Sequence, residues 1–308
     1  MTKIERINRA IKGKEVDRIP FSVWYHFGLQ HLPGETLAEA ELSFYKKFDL
    51  DFIKVMHDYP YPLPEGMQEI NRPEDWMKLK PLTAHQGGFK EQSRALLIIG
   101  KELNGKAYYI DTIFSPWSTA RKLARDRIFE HQKSAPDKLK KGLEVITASF
   151  CAYIQEAIKN GLSGIFLSIG GASFDLMTES EYQEFGRPYD LQVLAAAEKA
   201  AFNVLHIHGQ NLMFDLVKEY PVQALNWSHR HTAPSLKEAR KKYSGCLIGG
   251  IDETDTDSVR PPAIRTQVKQ TIQELGRKGV ILGPGCAIPT NTPPANILAI
   301  LQEIEVGR

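Results

Sequence analysis

The run Val204-Leu205-His206-Ile207-His208-Gly209 carries two residues well suited to holding a metal. It is apolar, β-branched at Val204 and Ile207, and closed by glycine, which predicts a short buried strand. Side chains alternate along a strand, so His206 and His208 share a face. Two imidazoles on one face at a strand end are a usual beginning of a metal site. A third soft ligand stands far downstream, Cys286 in Gly283-Pro284-Gly285-Cys286-Ala287. The competing reading is one buried and one surface histidine, neither a ligand.

The elements that would position these residues decide between the readings. In 308 residues, 42% hydrophobic and 25% charged content is that of a globular protein with room for a large core. Lys+Arg 39 against Asp+Glu 37 leaves a near-neutral surface, which argues against a nucleic-acid footprint or a polybasic membrane patch. No run approaches the ~20 apolar residues that span a bilayer. The start, Met1-Thr-Lys-Ile-Glu-Arg-Ile, is amphipathic and charged, unlike a secretion signal. Cys151, Cys246 and Cys286 are too few, and odd in number, for a disulfide framework. A cytoplasmic chain with reduced thiols is expected, with Cys151 in a packing role.

Periodicity predicts a short helix over 2–12, then strands over 19–25, 51–57, 107–114, 164–168, 204–208, 222–227, 246–252 and 279–283. Helical patterns alternate with them, the longest over 135–160. Eight strands alternating with helices predict a (β/α)8 TIM barrel, one domain over residues 1–308 with a short N-terminal helix. The proline-rich segment 58–88 reads as a functional loop or lid. Active sites of such barrels lie at the C-terminal strand ends. There the sequence places His26, His57, Ser115, Ser168, His206, His208, Asn226, Trp227, Asp252 and Cys286. A purely structural barrel has no need of histidines at three strand ends. His206 and His208 on the fifth strand and Cys286 after the eighth are therefore the expected metal ligands.

Other residues carry weaker signals. Asp252 would orient a ligand histidine or act as general acid or base, against a bland role capping the next helix. His26 and His57 would contact substrate or merely hydrogen-bond at the barrel mouth. Trp24 and Tyr25 alternate, so only one faces inward. Arg121, Lys122, Arg125 and Arg127 read as a solvated helix face.

The chain resembles the uroporphyrinogen decarboxylase superfamily. The resemblance rests on Glu5-Arg6, Gly13, Val16-Asp17-Arg18-Ile19-Pro20, Phe114-Ser115-Pro116-Trp117-Ser118 and Gly249-Gly250-Ile251-Asp252. It closes with Gly285-Cys286-Ala287-Ile288-Pro289 and Thr292-Pro293-Pro294-Ala295-Asn296, so it runs nearly end to end. Leu205-His206-Ile207-His208-Gly209 is similar to the His-Ile-Cys-Gly of the cobamide-dependent methyltransferase branch. In that branch a His, a Cys two residues on and a distant Cys hold zinc, which binds a thiol as thiolate. The resemblance carries these roles to His206 and Cys286, with His208 in place of the middle thiolate. A fourth ligand would be His229 or His231 of Asn226-Trp227-Ser228-His229-Arg230-His231, or water, against the reading of this stretch as a solvated basic loop.

What the resemblance implies is a zinc-dependent methyltransferase moving a methyl group between a small methyl donor or thiol acceptor and a corrinoid. The cobalamin would come on a separate corrinoid protein or from solution. Tyr25, Trp227, Asn226 and Ser168 would line the methyl-donor or corrinoid site. Decarboxylase relatives form dimers, so a homodimer is compatible with the resemblance. Decarboxylases themselves carry arginines just after the first strand, where this chain reads Trp24-Tyr25-His26-Phe27-Gly28-Leu29-Gln30. Porphyrinogen decarboxylation, a metal-dependent hydrolase and a non-catalytic tetrapyrrole or corrinoid binder are the alternatives. Amidohydrolase barrels place their H-x-H on the first strand, which argues against the second.

Overall fold

The computed structural model describes residues 1–306. Its strands are β1 (Phe52–Val55), β2 (Tyr108–Phe114), β3 (Gly164–Ile169), β4 (Val204–Ile207), β5 (Ala224–Trp227), β6 (Cys246–Ile251) and β7 (Val280–Pro284). All neighbours pair in parallel, in chain order, in one seven-stranded sheet. The helices are α1 (Lys3–Ile11), α2 (Gly34–Phe48), α3 (Gly87–Leu103), α4 (Pro116–Ala124), α5 (Arg127–Ser134) and α6 (Pro136–Lys159). They continue with α7 (Glu179–Phe185), α8 (Arg187–Ala196), α9 (Phe214–Val217), α10 (Leu236–Lys242), α11 (Pro261–Leu275) and α12 (Pro294–Val306). None is long and apolar enough to cross a membrane.

Eight regular strands do not form. The expected first strand, 19–25, makes only the isolated bridge Phe21–Leu282. Pro20 is the reason: it has no N–H to give to a ladder. The segment still lies in the eighth position. Ser22 N–H donates to the Leu282 carbonyl at 3.0 Å and Leu282 N–H to that of Pro20 at 2.8 Å. On its other side Asp51 N–H reaches the Phe21 carbonyl at 2.9 Å, and the Ser22 hydroxyl reaches that of Phe52 at 2.8 Å. The histidine-bearing strand is thus the fourth regular one, β4. Between β4 and β5 the chain makes only the single helical turn of α9.

Two apolar layers follow from strand alternation. One side of each strand packs under the helices, as Leu167, Leu205, Leu225 and Leu247 do. The other side forms the interior, with Phe52, Ile110, Phe166, Val204, Ala224, Cys246 and Ile281. Ile7 and Ala10 of α1 belong to this second cluster and stopper the end where the strands begin. Thr2 caps α1: its hydroxyl accepts from Glu5 N–H, and the Glu5 carboxylate accepts from Thr2 N–H. A buried carboxylate ties that end together. Asp51 pairs with Arg6 at 2.5 Å and with Arg18 at 2.7 Å, and accepts from Phe21 N–H at 2.8 Å. The Glu5-Arg6 and Asp17-Arg18 blocks are therefore foundations of the fold.

Candidate metal centre and its cavity

Alternation puts His206 of β4 inside, level with Ser168 on β3 and Asn226 on β5. His208 stands two residues on, just past the strand end, and Gly209 at φ 120° turns the chain away. Cys286 follows β7 through Gly285. A side chain at 285 would meet the Glu253 carboxylate at 2.6 Å and the Ser228 backbone at 2.6 Å, so only glycine fits. The outcome is that one ligand atom from each of His206, His208 and Cys286 lies within 4.8 Å of the others.

Asn226 sets the tautomer of the buried imidazole. Its amide nitrogen donates to the carbonyls of Ile248 and Pro284, each at 3.0 Å, which fixes the amide orientation. Its oxygen must then accept from His206 Nδ1, 2.7 Å away. Nδ1 therefore carries the proton and Nε2 keeps its lone pair, the arrangement a metal-ligating histidine needs. Phe166 stacks on the ring at 5.2 Å. Burial alone would raise the Cys286 thiol. An imidazolium at His206, when protonated, the Ala287 N–H and the Lys54 charge all favour the thiolate and hold the thiol below its usual value. Burial lowers His208, and the charges of Lys122 and Arg121 lower it further. Both shifts run in the direction metal binding needs, toward thiolate and neutral imidazole.

The trio opens on a cavity of about 560 Å³. Ser168 and His26 line it, His26 with its Nδ1 2.7 Å from Asp58. Trp24 lines it in place of Tyr25, which instead packs on Phe27 and Phe44. Trp227 also departs from expectation. Its neighbour Asn226 takes the inward face, so Trp227 is buried outside the sheet against Phe214, donating to the Pro234 carbonyl at 2.8 Å.

Three further expected residues are not brought to the trio. His229 sits behind β6, where its Nε2 accepts from Gly250 N–H at 2.8 Å. Burial pushes it down to about 3, so it stays neutral there with no lone pair for a metal. Asp252 bonds His231 at 2.7 Å and Thr254 at 2.8 Å, beside Glu253 and outside the lining of that cavity. Burial raises its carboxyl, but these hydrogen bonds outweigh that and lower it. His57 faces a neighbouring cavity of about 410 Å³, with Nδ1 3.6 Å from the buried Asp111.

Lys54, in the middle of β1, was not singled out from the sequence, and it is the most unusual group in the cavity. It is buried, donates only to Met56 Sδ at 2.6 Å, and lies 4.7 Å over Phe166. Burial pushes it down to about 8. Burial likewise pushes Glu41, which accepts from Met56 N–H, up to about 8. Its signal in the sequence was plain: a lone charge inside the apolar run Phe52–Val55. Arg121 and Lys122 also line the cavity, so this side of α4 is not merely solvated.

Residues 2–306 match the family described as Uroporphyrinogen decarboxylase (URO-D), and the chain belongs to that family. Among curated relatives it is 23% identical over 307 residues to a methylcobamide:CoM methyltransferase of Methanosarcina mazei, spanning 98% of this chain and 83% of that one. It is equally 23% identical to a uroporphyrinogen decarboxylase of Synechococcus, spanning 95% and 90%. Among solved structures, a methyltransferase from Methanosarcina mazei superposes with TM-score 0.78 at 18% identity, covering 100% of this chain and 99% of the other. A putative vitamin-B12-independent methionine synthase from Listeria monocytogenes gives 0.59 at 11% identity, covering 95% and 97%. Both structures share the fold.

Proposed function

We propose that this protein is a zinc-dependent methyltransferase that moves a methyl group between a small donor or thiol and a corrinoid. The observation that carries the reading is the trio itself: three ligand atoms within 4.8 Å, with His206 Nε2 left free by Asn226. The donor set fits zinc, which takes imidazole and thiolate and needs a position open to substrate. His206, His208 and Cys286 would hold it. Bound there, zinc would supply Lewis acidity, which lowers a thiol's pKa or polarises a methylated donor.

The chain's own groups do the rest. Asn226 keeps the proton on His206 Nδ1. Trp24 and Phe166 give the cavity apolar walls, and Ser168 offers a hydroxyl beside His206. His208 replaces the thiolate of related methyltransferases. Two imidazoles and one thiolate leave a zinc site at formal charge +1, against zero with two thiolates. A less anionic centre makes a bound thiolate a weaker nucleophile and favours activation of a methyl ether, methylamine or methylthio donor. Decarboxylation is the rival that equally similar relatives raise. The arginine-free stretch Trp24–Gln30 weighs against it.

The test is metal analysis of protein purified without chelator, followed by assays with methylcobalamin and cobalt(I) cobalamin. Thiols and methylated donors form the panel, read by the cobalamin spectrum. Stoichiometric zinc and transfer in one direction are expected. Absence of zinc, or zinc with uroporphyrinogen decarboxylation and no methyl transfer, overturns the proposal.

A further inference from the structure

His231 belongs to a second group of potential ligands, apart from the trio. One ligand atom from each of His231, Asp252 and Glu253 lies within 4.8 Å of the others. None of the three lines the cavity of the trio. They come from two loops, His231 after β5 and Asp252 with Glu253 directly after β6. Asp252 Oδ1 accepts all of that carboxylate's hydrogen bonds among the described residues. They come from His231 Nε2 at 2.7 Å, Thr254 N–H at 2.9 Å and the Thr254 hydroxyl at 2.8 Å. Asp252 Oδ2 is left without one. Since Nε2 carries the proton given to Asp252, the neutral His231 ring has its lone pair on Nδ1.

Glu253 is the residue that points to a cation. It is 6% exposed, and among the described residues it has no ion-pair partner. Its one hydrogen bond there is from Gly285 N–H to Oε2 at 3.1 Å, which leaves Oε1 with none. A buried carboxylate is costly unless it is paired or coordinates a metal. The positive groups of these loops are engaged elsewhere. Arg230 donates to the Gly250 carbonyl at 2.8 Å, and His231 is bonded to Asp252. Asp255 adds a third carboxylate to the same loop, also without an ion pair among the described residues.

We propose that His231, Asp252 and Glu253 form a second metal site, for a divalent first-row transition cation such as zinc. One imidazole with two carboxylates suits such an ion, whereas calcium and magnesium prefer shells of oxygen alone. The cation supplies the charge that Glu253 lacks and ties the loop after β5 to the loop after β6. The tie extends to the loop after β7. Glu253 holds the N–H of Gly285, the neighbour of Cys286, the Thr256 and Thr292 hydroxyls lie 2.9 Å apart, and the Asn296 amide donates to the Thr256 carbonyl at 2.7 Å. This ion steadies the loop that presents Cys286 and takes no part in methyl transfer. The inference stands on its own donor set and does not depend on the reading of the trio.

The experiment is zinc titration of the full chain, stripped with chelator beforehand, in competition with a chromophoric chelator. Two zinc equivalents per chain are expected for the parent, one each for H231A and C286S, and none for H231A/C286S. Zinc should raise the Tm of C286S and leave that of H231A/C286S unchanged. D252N repeats the test where H231A does not fold. A second equivalent that survives H231A, or zinc held by the parent only at a site lost in C286S, overturns the inference. A single equivalent that is lost in H231A and kept in C286S supports it and sinks the metal reading of the trio. A parent that binds no zinc overturns both.

Discussion

The sharpest test of the metal centre leaves every ligand in place. N226L replaces the amide with a side chain of similar shape that can neither donate nor accept. Three hydrogen bonds go: 2.7 Å to His206 Nδ1 and 3.0 Å each to the Ile248 and Pro284 carbonyls. Asn226 is 0% exposed, so water does not replace them. An unsatisfied buried polar group costs about 1–3 kcal/mol, and some repair by shifting is normal, so a loss of about 2–4 kcal/mol in the zinc-free protein is expected. The effect on the metal is separate. Without its acceptor, His206 is free to place the proton on Nε2 or to rotate. Loss of such an outer partner costs roughly 10–100-fold in metal affinity. Zinc at about 100 times its Kd stabilises a folded protein by about 2.7 kcal/mol, so the variant's gain in Tm on adding zinc should shrink sharply. Competition with a chromophoric chelator gives the affinity, and thermal melts with and without zinc give the stability. A folded N226L that binds zinc as tightly as the parent would refute the idea that Asn226 sets the tautomer.

Three other outcomes are expected. D51N breaks the buried pairs with Arg6 and Arg18 and should cost about 3–5 kcal/mol, measured by urea unfolding. H229Q keeps an acceptor for Gly250 N–H but removes a titrating group. Because burial depresses His229 from 6.5 to about 3, the unfolded chain binds more protons between those values. That contribution to stability is complete above pH 6.5 and lost as pH falls toward 3. The stability of H229Q relative to the parent should therefore rise on acidification, and parallel pH curves for the two proteins would contradict this. H208C restores a thiolate and lowers the formal charge of the zinc site by one. Zinc binding should survive, while the ratio of thiol methylation to donor demethylation should rise in the cobalamin assay.

The sequence made the barrel's layout readable because its strands are short apolar runs separated by clear helical stripes. It could not show that Pro20 interrupts pairing in the first of them. The convergence of His206 and His208 was readable because H-x-H on a strand puts both imidazoles on one side. Alternation could also have excluded Trp227, since Asn226 beside it has to take the opposite face, but choosing the inward one requires the register His206–Asn226. Trp24 and Tyr25 posed the same choice. His229 failed as a ligand because loop residues after β5 follow no period, and its fold-back onto Gly250 is a tertiary event. Lys122 looked like one of four charges on a solvated helix because α4's position over the mouth is likewise set by tertiary packing.

The stopper formed by Ile7 and Ala10 has a kinetic meaning. With that end packed by apolar side chains, the reactants would come and go at the end where the strands finish, where the cavity lies. For a methyltransferase of the kind proposed, the small reactant would have to settle at the bottom before a bulky macrocycle came to rest on the rim. The departing small molecule would wait until the macrocycle had left. Turnover would then be sequential and strictly ordered, with competition at that end at high corrinoid concentration.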